Sequence, residues 1–233
     1  MKLSKLLRDL SYGKLSNLSI ANSGDGTITN KGLPQIILAA NEGLLRLYSR
    51  FVLKEDAVFV EMLPNVTQYH LSSRYALSQK AQYPKNYHYI IDHGEPFEDN
   101  AIRIVSVMNE CGYEYPLNDE TKWNSLFTPQ PLVLQLPRPI EGRPLSISYQ
   151  ARHSTLVAEN LDAQIELPDT LYGALLSFVA HQIYSNMGGQ DNIVKSQEQL
   201  ASYELVCTEV ENKDTVSNTI SNDGVRFQNN GWI

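Results

Sequence analysis

"PQIILAANEGLLRLYSRFVLK", residues 34–54, is the stretch of sequence that decides the fold. Its apolar residues recur every three or four positions and form one stripe, whereas polar residues such as Glu42, Arg46 and Arg50 occupy the remaining surface. Proline is tolerated in the first turn of a helix, so Pro34 can begin it. The pattern therefore predicts an amphipathic helix over about 34–54. Its apolar stripe consists of Ile37, Ala40, Leu44, Leu47, Tyr48 and Phe51.

Helical periodicity also occurs at both ends of the chain. Leucines at 3, 6, 7 and 10 predict a short first helix, which Gly13 ends. Pro168 and Asp169 open another helix at 168–186, and Gly188 and Gly189 break it. A last helix is predicted over 191–211. Its inward residues are expected to be Val194, Leu200, Ala201 and Leu205.

The intervening sequence has the short, β-branched and aromatic runs that are typical of antiparallel strands and their turns. Six such runs lie at 57–63, 67–71, 86–91, 101–107, 132–136 and 145–151. Five of the eleven prolines fall between Thr128 and Leu145, so strands there should be edge strands or begin at a proline.

Helices at both ends and strands between them predict an α+β fold. A compact core requires the end helices to meet, which gives a discontinuous α-helical bundle of residues 1–55 and 161–212. The antiparallel β module is then an insertion at 56–160, and an extended C-terminal tail occupies 213–233.

Composition excludes several functions. A net charge of −7 argues against a protein that grips nucleic acid through a basic surface. The two cysteines, Cys111 and Cys207, lack metal-ligand spacing and suit a reducing compartment inside a cell. No run reaches the roughly 20 apolar residues that a membrane helix needs.

Catalytic motifs are not found in the sequence. It contains no Gly-x-Ser-x-Gly elbow, and its five histidines show no metal-binding spacing. "GDGTIT" at 24–29 lacks the Lys-Ser/Thr pair of a phosphate loop and is interpreted as a linker. Glu95 and Asp99 are candidate catalytic carboxylates, although solvated turns commonly carry such groups. We therefore predict no enzymatic activity, no metal and no cofactor.

The C-terminal segment contrasts with this pattern. "NKDTVSNTISND" at 212–223 has almost nothing to bury, yet "VRFQNNGWI" at 225–233 carries two aromatic rings. Each ring can bury about 150–250 Å² in a pocket, and an extended peptide can dock on a partner through such anchors. We predict that Val225, Arg226, Phe227, Trp232 and Ile233 dock into another chain.

The order of these segments resembles the head-to-tail adaptor (connector) proteins of tailed, especially short-tailed, bacteriophages. The resemblance extends over nearly the full length and includes "AANEGLLRLYSRFVLKE" (39–55), "LYGALLSFVAHQIYSNMG" (171–188) and "RFQNNGWI" (226–233). It rests on the order and residue pattern of the segments, and no catalytic motif supports it. The β module is larger than in the smallest adaptors, which are nearly all helical.

The resemblance implies a virion structural protein in the neck between capsid and tail, assembled in the host cytoplasm. Copies would form a homo-oligomeric ring, usually of twelve, through which DNA passes without specific binding. The C-terminal segment would dock into the portal protein, and the β module would face the tail tube or nozzle protein and tail fibres. Helices 34–54 and 168–186 would pack subunits together. The residues assigned to subunit packing are Leu44, Tyr48, Leu175, Phe178 and Ile183.

Two other functions stay open at the level of sequence. Tyrosines such as Tyr83, Tyr87 and Tyr89 lie close together, and aromatic platforms can bind carbohydrate, so a tail-associated or fibre-associated binding module is the alternative. A hydrolase that uses Glu95 or Asp99 is the third hypothesis.

Overall fold

The computed structural model describes residues 1–213, in which helices lie at both ends and strands lie between them. The predicted α+β class, with an antiparallel β module inserted between the helices, is confirmed. The predicted tail lies almost entirely outside the described residues. The helices are α1 (Leu3–Tyr12), α2 (Leu33–Arg50), α3 (Asp169–Met187) and α4 (Gln190–Lys213). The strands are β1 (Glu55–Glu61), β2 (Gln68–His70), β3 (Ile90–Ile91), β4 (Ala101–Asn109), β5 (Phe127–Gln130), β6 (Val133–Gln135) and β7 (Pro144–Ala151).

Helix α3 is the centre of the helical unit. Residues on nearly every side of it are buried, which is the pattern of a helix enclosed by neighbours rather than of a surface helix. Tyr172 donates a hydrogen bond to Asp9 of α1 at 2.7 Å. On α4, the Tyr203 ring lies 5.4 Å from the Phe178 ring. Helices α1, α2 and α4 therefore pack around α3.

Helix α2 ends earlier than the sequence predicts, at Arg50 instead of about residue 54. Phe51 leaves the helix with φ −114° and ψ 142°, while its N–H still bonds to the Leu47 carbonyl. The apolar residues Phe51 and Leu53 continue the helical period in sequence, but the chain here has already turned towards β1.

Helix α4 presents a different face to the core from the predicted one. Ser196, Tyr203, Cys207 and Val210 are buried and Leu200 is partly buried. Val194, Ala201 and Leu205 lie on the opposite side and are exposed, so the prediction that they point inward is wrong. The physical reason is the contact with α3, which uses small polar groups: the Ser177 and Ser202 hydroxyls lie 3.2 Å apart.

The β module consists of two antiparallel sheets. The four-stranded sheet has the order β3-β1-β7-β4, and the three-stranded sheet has the order β2-β6-β5. In the first, β1 and β7 pair along their lengths with Val58 opposite Ile147. Register shifts interrupt the pairing of β4 with β7.

Prolines occupy the positions expected of them. Pro129 lies in β5, which is an edge strand of its sheet and was missing from the predicted strands. Pro144 is the first residue of β7. Since proline cannot donate to a ladder, both positions avoid the loss of a central hydrogen bond.

Residues 1–213 contain two hydrophobic cores. The helical core extends up to Phe51 and begins again at Leu156. The core of the β module uses residues from Val58 to Ala151. The predicted boundary at 55/56 falls between Phe51 and Val58, whereas the boundary at 160/161 falls after Leu156, which already lies in the helical core.

Candidate docking site

The five residues predicted to bind a portal, Val225, Arg226, Phe227, Trp232 and Ile233, lie outside the described residues 1–213. Their assignment stays a prediction. What the structure supplies is the place where the segment that carries them begins.

The five residues predicted to pack subunits lie inside the core of the chain itself. None of these side chains is more than 3% exposed, so none has area left to bury against a second copy. Their role is to hold α2 to α3, and any subunit contact of these helices needs other residues. This corrects the assignment of Leu44, Tyr48, Leu175, Phe178 and Ile183.

Arg50 holds the end of α4 against the end of α2. Its Nε and Nη2 donate to the two carboxylate oxygens of Glu211 at 2.7 and 2.9 Å, and its Nη1 donates to Glu204 at 2.7 Å. The bonds to Glu211 raise the pKa of Arg50, and the same contact lowers the pKa of Glu211. Such a forked ion pair fixes geometry as well as charge. The segment after Lys213 therefore begins beside the point where α2 leads into the β module.

Gln150 connects the two units at this point. It lies on β7, is fully buried, and its side-chain amide donates to the backbone carbonyls of Tyr48 and Phe51, the latter at 2.9 Å. Its side-chain oxygen accepts a bond from Arg103 at 2.7 Å. A buried side chain with all these bonds satisfied fixes the β module to the end of α2.

Asn41 and His153 make further hydrogen bonds near the point where the chain returns from the β module to the helical unit. Asn41 donates to the Leu156 carbonyl at 3.0 Å and accepts from the Leu156 N–H at 2.8 Å. The Glu166 N–H donates to His153 Nε2 at 3.1 Å, while Tyr48 donates its hydroxyl proton to the Glu166 carbonyl. Burial, and then the Glu166 charge, raises the pKa of Tyr48 to about 12, so its hydroxyl stays a donor.

A cavity of about 690 Å³ opens beside this junction. Carboxylates of Asp56, Glu95 and Glu98 line it together with the cations Lys54 and Arg152. The mixed charge of this lining suits a polar ligand.

The loop that contains the candidate catalytic residues uses its aspartates as anchors. Asp92 accepts bonds from the Ser78 N–H, the Ser78 hydroxyl and the Phe97 N–H at 2.9, 2.5 and 3.1 Å. Burial raises the pKa of Asp92, but these bonds outweigh it and the net shift is downward. Asp99 likewise accepts bonds from the Ser73 N–H and hydroxyl. These bonds hold the loop, and within residues 1–213 no group of three or more His, Cys, Asp and Glu side chains could hold a metal ion.

Aromatic residues of the β module are divided between core and surface. Tyr89 is buried and its ring stacks on that of Tyr75 at 5.0 Å, so the three neighbouring tyrosines do not form one platform. Tyr83 and Tyr87 are exposed. Trp123 is 87% exposed beside an apolar hollow of about 220 Å³.

The outward faces of α2 and α4 carry apolar residues that were not predicted to form a surface. On α2 these are Leu38 and Leu45, which are 71% and 47% exposed. On α4 they are Val194, Ala201 and Leu205. The signal was present in the sequence, since apolar residues seven apart remain on each helix once its buried stripe is removed.

The chain matches no protein-family model, and no curated protein is similar enough to count as a match. None of the helices in the described part of the chain is long and apolar enough to cross a membrane.

Proposed function

We propose that this protein is a virion structural protein, a head-to-tail adaptor of a tailed bacteriophage. Copies of it form a ring in the neck between the portal protein and the tail, and the C-terminal segment of each copy docks into the portal. The β module faces the tail tube or nozzle protein and tail fibres.

The observation that carries the proposal is the position at which α4 ends. Arg50 fixes the last turn of α4 at the junction of the two units, and twenty residues follow Lys213. At about 3.3 Å per extended residue, a segment of this length spans at most about 66 Å. Phe227 and Trp232 near its end supply the anchors that let an extended peptide bind through pockets.

The charge of the protein supports the same function. A ring through which DNA slides must not hold the duplex, and the net charge of −7 disfavours contact with phosphates. In this proposal DNA passes through the ring without specific binding.

Portal docking is tested with the purified full-length protein and the portal protein of the same virus. We expect Phe227→Ala and Trp232→Ala each to weaken the complex by about 30-fold or more, the loss expected of a hot-spot side chain. Tyr113→Ala removes a ring that is 61% exposed in the β module and serves as the matched control. Unchanged affinity in both tail variants would remove the docking claim.

A carbohydrate-binding module of the tail is the second candidate, and the exposure of Trp123 favours it. An indole ring that is 87% exposed beside an apolar hollow can stack on a sugar ring. A glycan array separates the candidates, because the adaptor proposal expects no hits. Hits that disappear in Trp123→Ala would support the carbohydrate-binding module.

A further inference from the structure

In the described residues 1–213, the helical unit has two exposed apolar faces that point outward. The α2 face consists of Leu38 and Leu45, two turns apart, and of Val157, which is 46% exposed. The two bonds between Asn41 and the Leu156 backbone hold Val157 beside α2. The α4 face consists of Val194, Ala201 and Leu205, which are spaced by seven and four residues.

Within residues 1–213, the helical unit covers neither face. Helix α4 packs on α3 through its opposite side, where the Ser196 hydroxyl lies 2.8 Å from His181 Nδ1. Helix α2 packs on α3 at Gly43, where an added Cβ would lie 2.9 Å from Leu175 Cδ1. Both outward faces therefore point away from α3. Apolar residues at this spacing are the pattern by which helices of separate chains pack together.

The charges beside the α2 and α4 faces favour contact of one face with the other. Helix α4 is acidic, and Glu198 lies beside its outward face. Two α4 faces would bring like charges together. The α2 face has a cation next to it, since Arg152 lines the same hollow of about 140 Å³ as Leu45 and Asn41. Arg152 forms no ion pair with another residue in 1–213, so its charge is available to a carboxylate of another chain.

We propose that the α4 face of one copy packs against the α2 face of a second copy, with Glu198 directed towards Arg152. Each copy then uses two different surfaces, which makes the contact heterologous. Repetition of such a contact closes a ring or extends a filament. The inference rests on the proposed function for its setting in a ring, and it names the subunit contact that the buried helix residues cannot supply.

The test uses two full-length variants that each disable one face, Leu45→Glu on α2 and Leu205→Glu on α4. Both side chains are exposed, so each variant should keep the helical circular dichroism of the wild type. Native mass spectrometry and sedimentation then report association. Tyr87→Glu, at a residue 68% exposed in the β module, is the matched control.

A heterologous contact predicts a distinctive result in mixtures. The wild type and Tyr87→Glu should form dimers and larger species, whereas each face variant alone should associate at least about 30-fold more weakly. A mixture of the two face variants should restore dimers and stop there, because each partner still has one intact and complementary face.

Three results would overturn the proposal. One is a wild-type chain that stays monomeric up to about 1 mM, where even a contact of −4 kcal/mol is half formed. Another is a face variant that self-associates as strongly as the wild type, and the third is a mixture that forms no dimers. Portal binding is measured separately, so normal self-association without portal binding would contradict the proposed function and leave this contact standing.

Discussion

His153 is a buried histidine that connects the end of the β module to the entry of α3. Its Nε2 accepts the Glu166 N–H, which leaves the proton on Nδ1, next to the Ser154 carbonyl at 2.5 Å. Burial lowers the pKa of His153, and the bond to Ser154 opposes that shift. Protonation would remove the acceptor that Glu166 uses, so the connection depends on the neutral ring.

This dependence gives a prediction for pH. The unfolded chain takes up a proton near pH 6.5 and the folded chain does so only at lower pH, so the free energy of unfolding falls as pH drops below about 6.5. We expect His153→Gln, which keeps an acceptor without a titrating ring, to lose less stability between pH 7.5 and 5.5 than the wild type. Urea midpoints at the two pH values measure it.

The control is His93→Gln, at an exposed histidine, which should keep the wild-type difference. The lowered pKa of Asp92 affects stability only near and below its ordinary value of 3.8, outside this range. An equal decline in His153→Gln and the wild type would contradict the argument.

The packing of α2 on α3 depends on a glycine. A Cβ on Gly43 would lie 2.9 Å from both Leu175 Cδ1 and Phe178 Cδ1, and both of those side chains are fully buried. Gly173 on α3 has no atom within 4 Å of an added Cβ. The two positions share helical backbone and differ in the space available.

The matched pair predicts opposite signs. Gly173→Ala should stabilise the protein by about 0.5–1 kcal/mol, because alanine favours helix and meets no neighbour. Gly43→Ala should destabilise it by about 1 kcal/mol, since overpacking exceeds the gain in helix propensity. Thermal or urea unfolding of the two variants measures the difference. Stabilisation by Gly43→Ala would show that α2 can shift without cost.

The outcome for α4 shows why elements were predicted more easily than their faces. Hydrophobic period located the helix, but Val194, Ala201 and Leu205 form an apolar stripe as regular as the buried one. The buried side includes Ser196 and Ser202, whose hydroxyls bond to α3, and polarity alone would place them outside. The strand β5 was missed for a related reason, since Pro129 argues against a strand unless the strand is known to lie at an edge.

At the scale of the molecule, the order of helical and strand patterns along the chain predicted the fold class. It did not predict which surfaces are exposed. Helices at the two ends implied a shared core, and Leu3, Leu44 and Leu175 do lie in one. The resemblance to adaptor proteins assigned Leu44 and Leu175 to subunit contacts, and a sequence does not tell whether an apolar stripe is covered by its own chain or by another. Bonds across the junction, such as those of Gln150, leave no periodic signal.

Gln150 leads to a prediction about the coupling of the two units. Gln150→Leu removes the donor to the Tyr48 carbonyl and leaves the Phe51 carbonyl with the Leu53 N–H alone, and an unpaired buried group costs about 1–3 kcal/mol. We expect the free energy of unfolding to fall. We also expect the amides of β7 and those of α3 to become exposed to exchange at different urea concentrations instead of at the same one. Hydrogen exchange under increasing urea measures this.

Gln68→Leu, at an exposed glutamine of β2, should leave the two units coupled and is the control. Amides of β7 and α3 that still open together in Gln150→Leu would show that the apolar contacts alone connect the units.

The division of the helical core between the two ends of the chain affects the order in which the protein is made. The ribosome releases every residue of the strand core by Ala151, but α1 and α2 meet their partner α3 only after Met187 has emerged. Because domains fold as units during synthesis, the inserted module can fold while the first two helices still lack their partner. Their leucines are thus exposed during translation, and the nascent chain offers chaperones a target that the finished protein does not have.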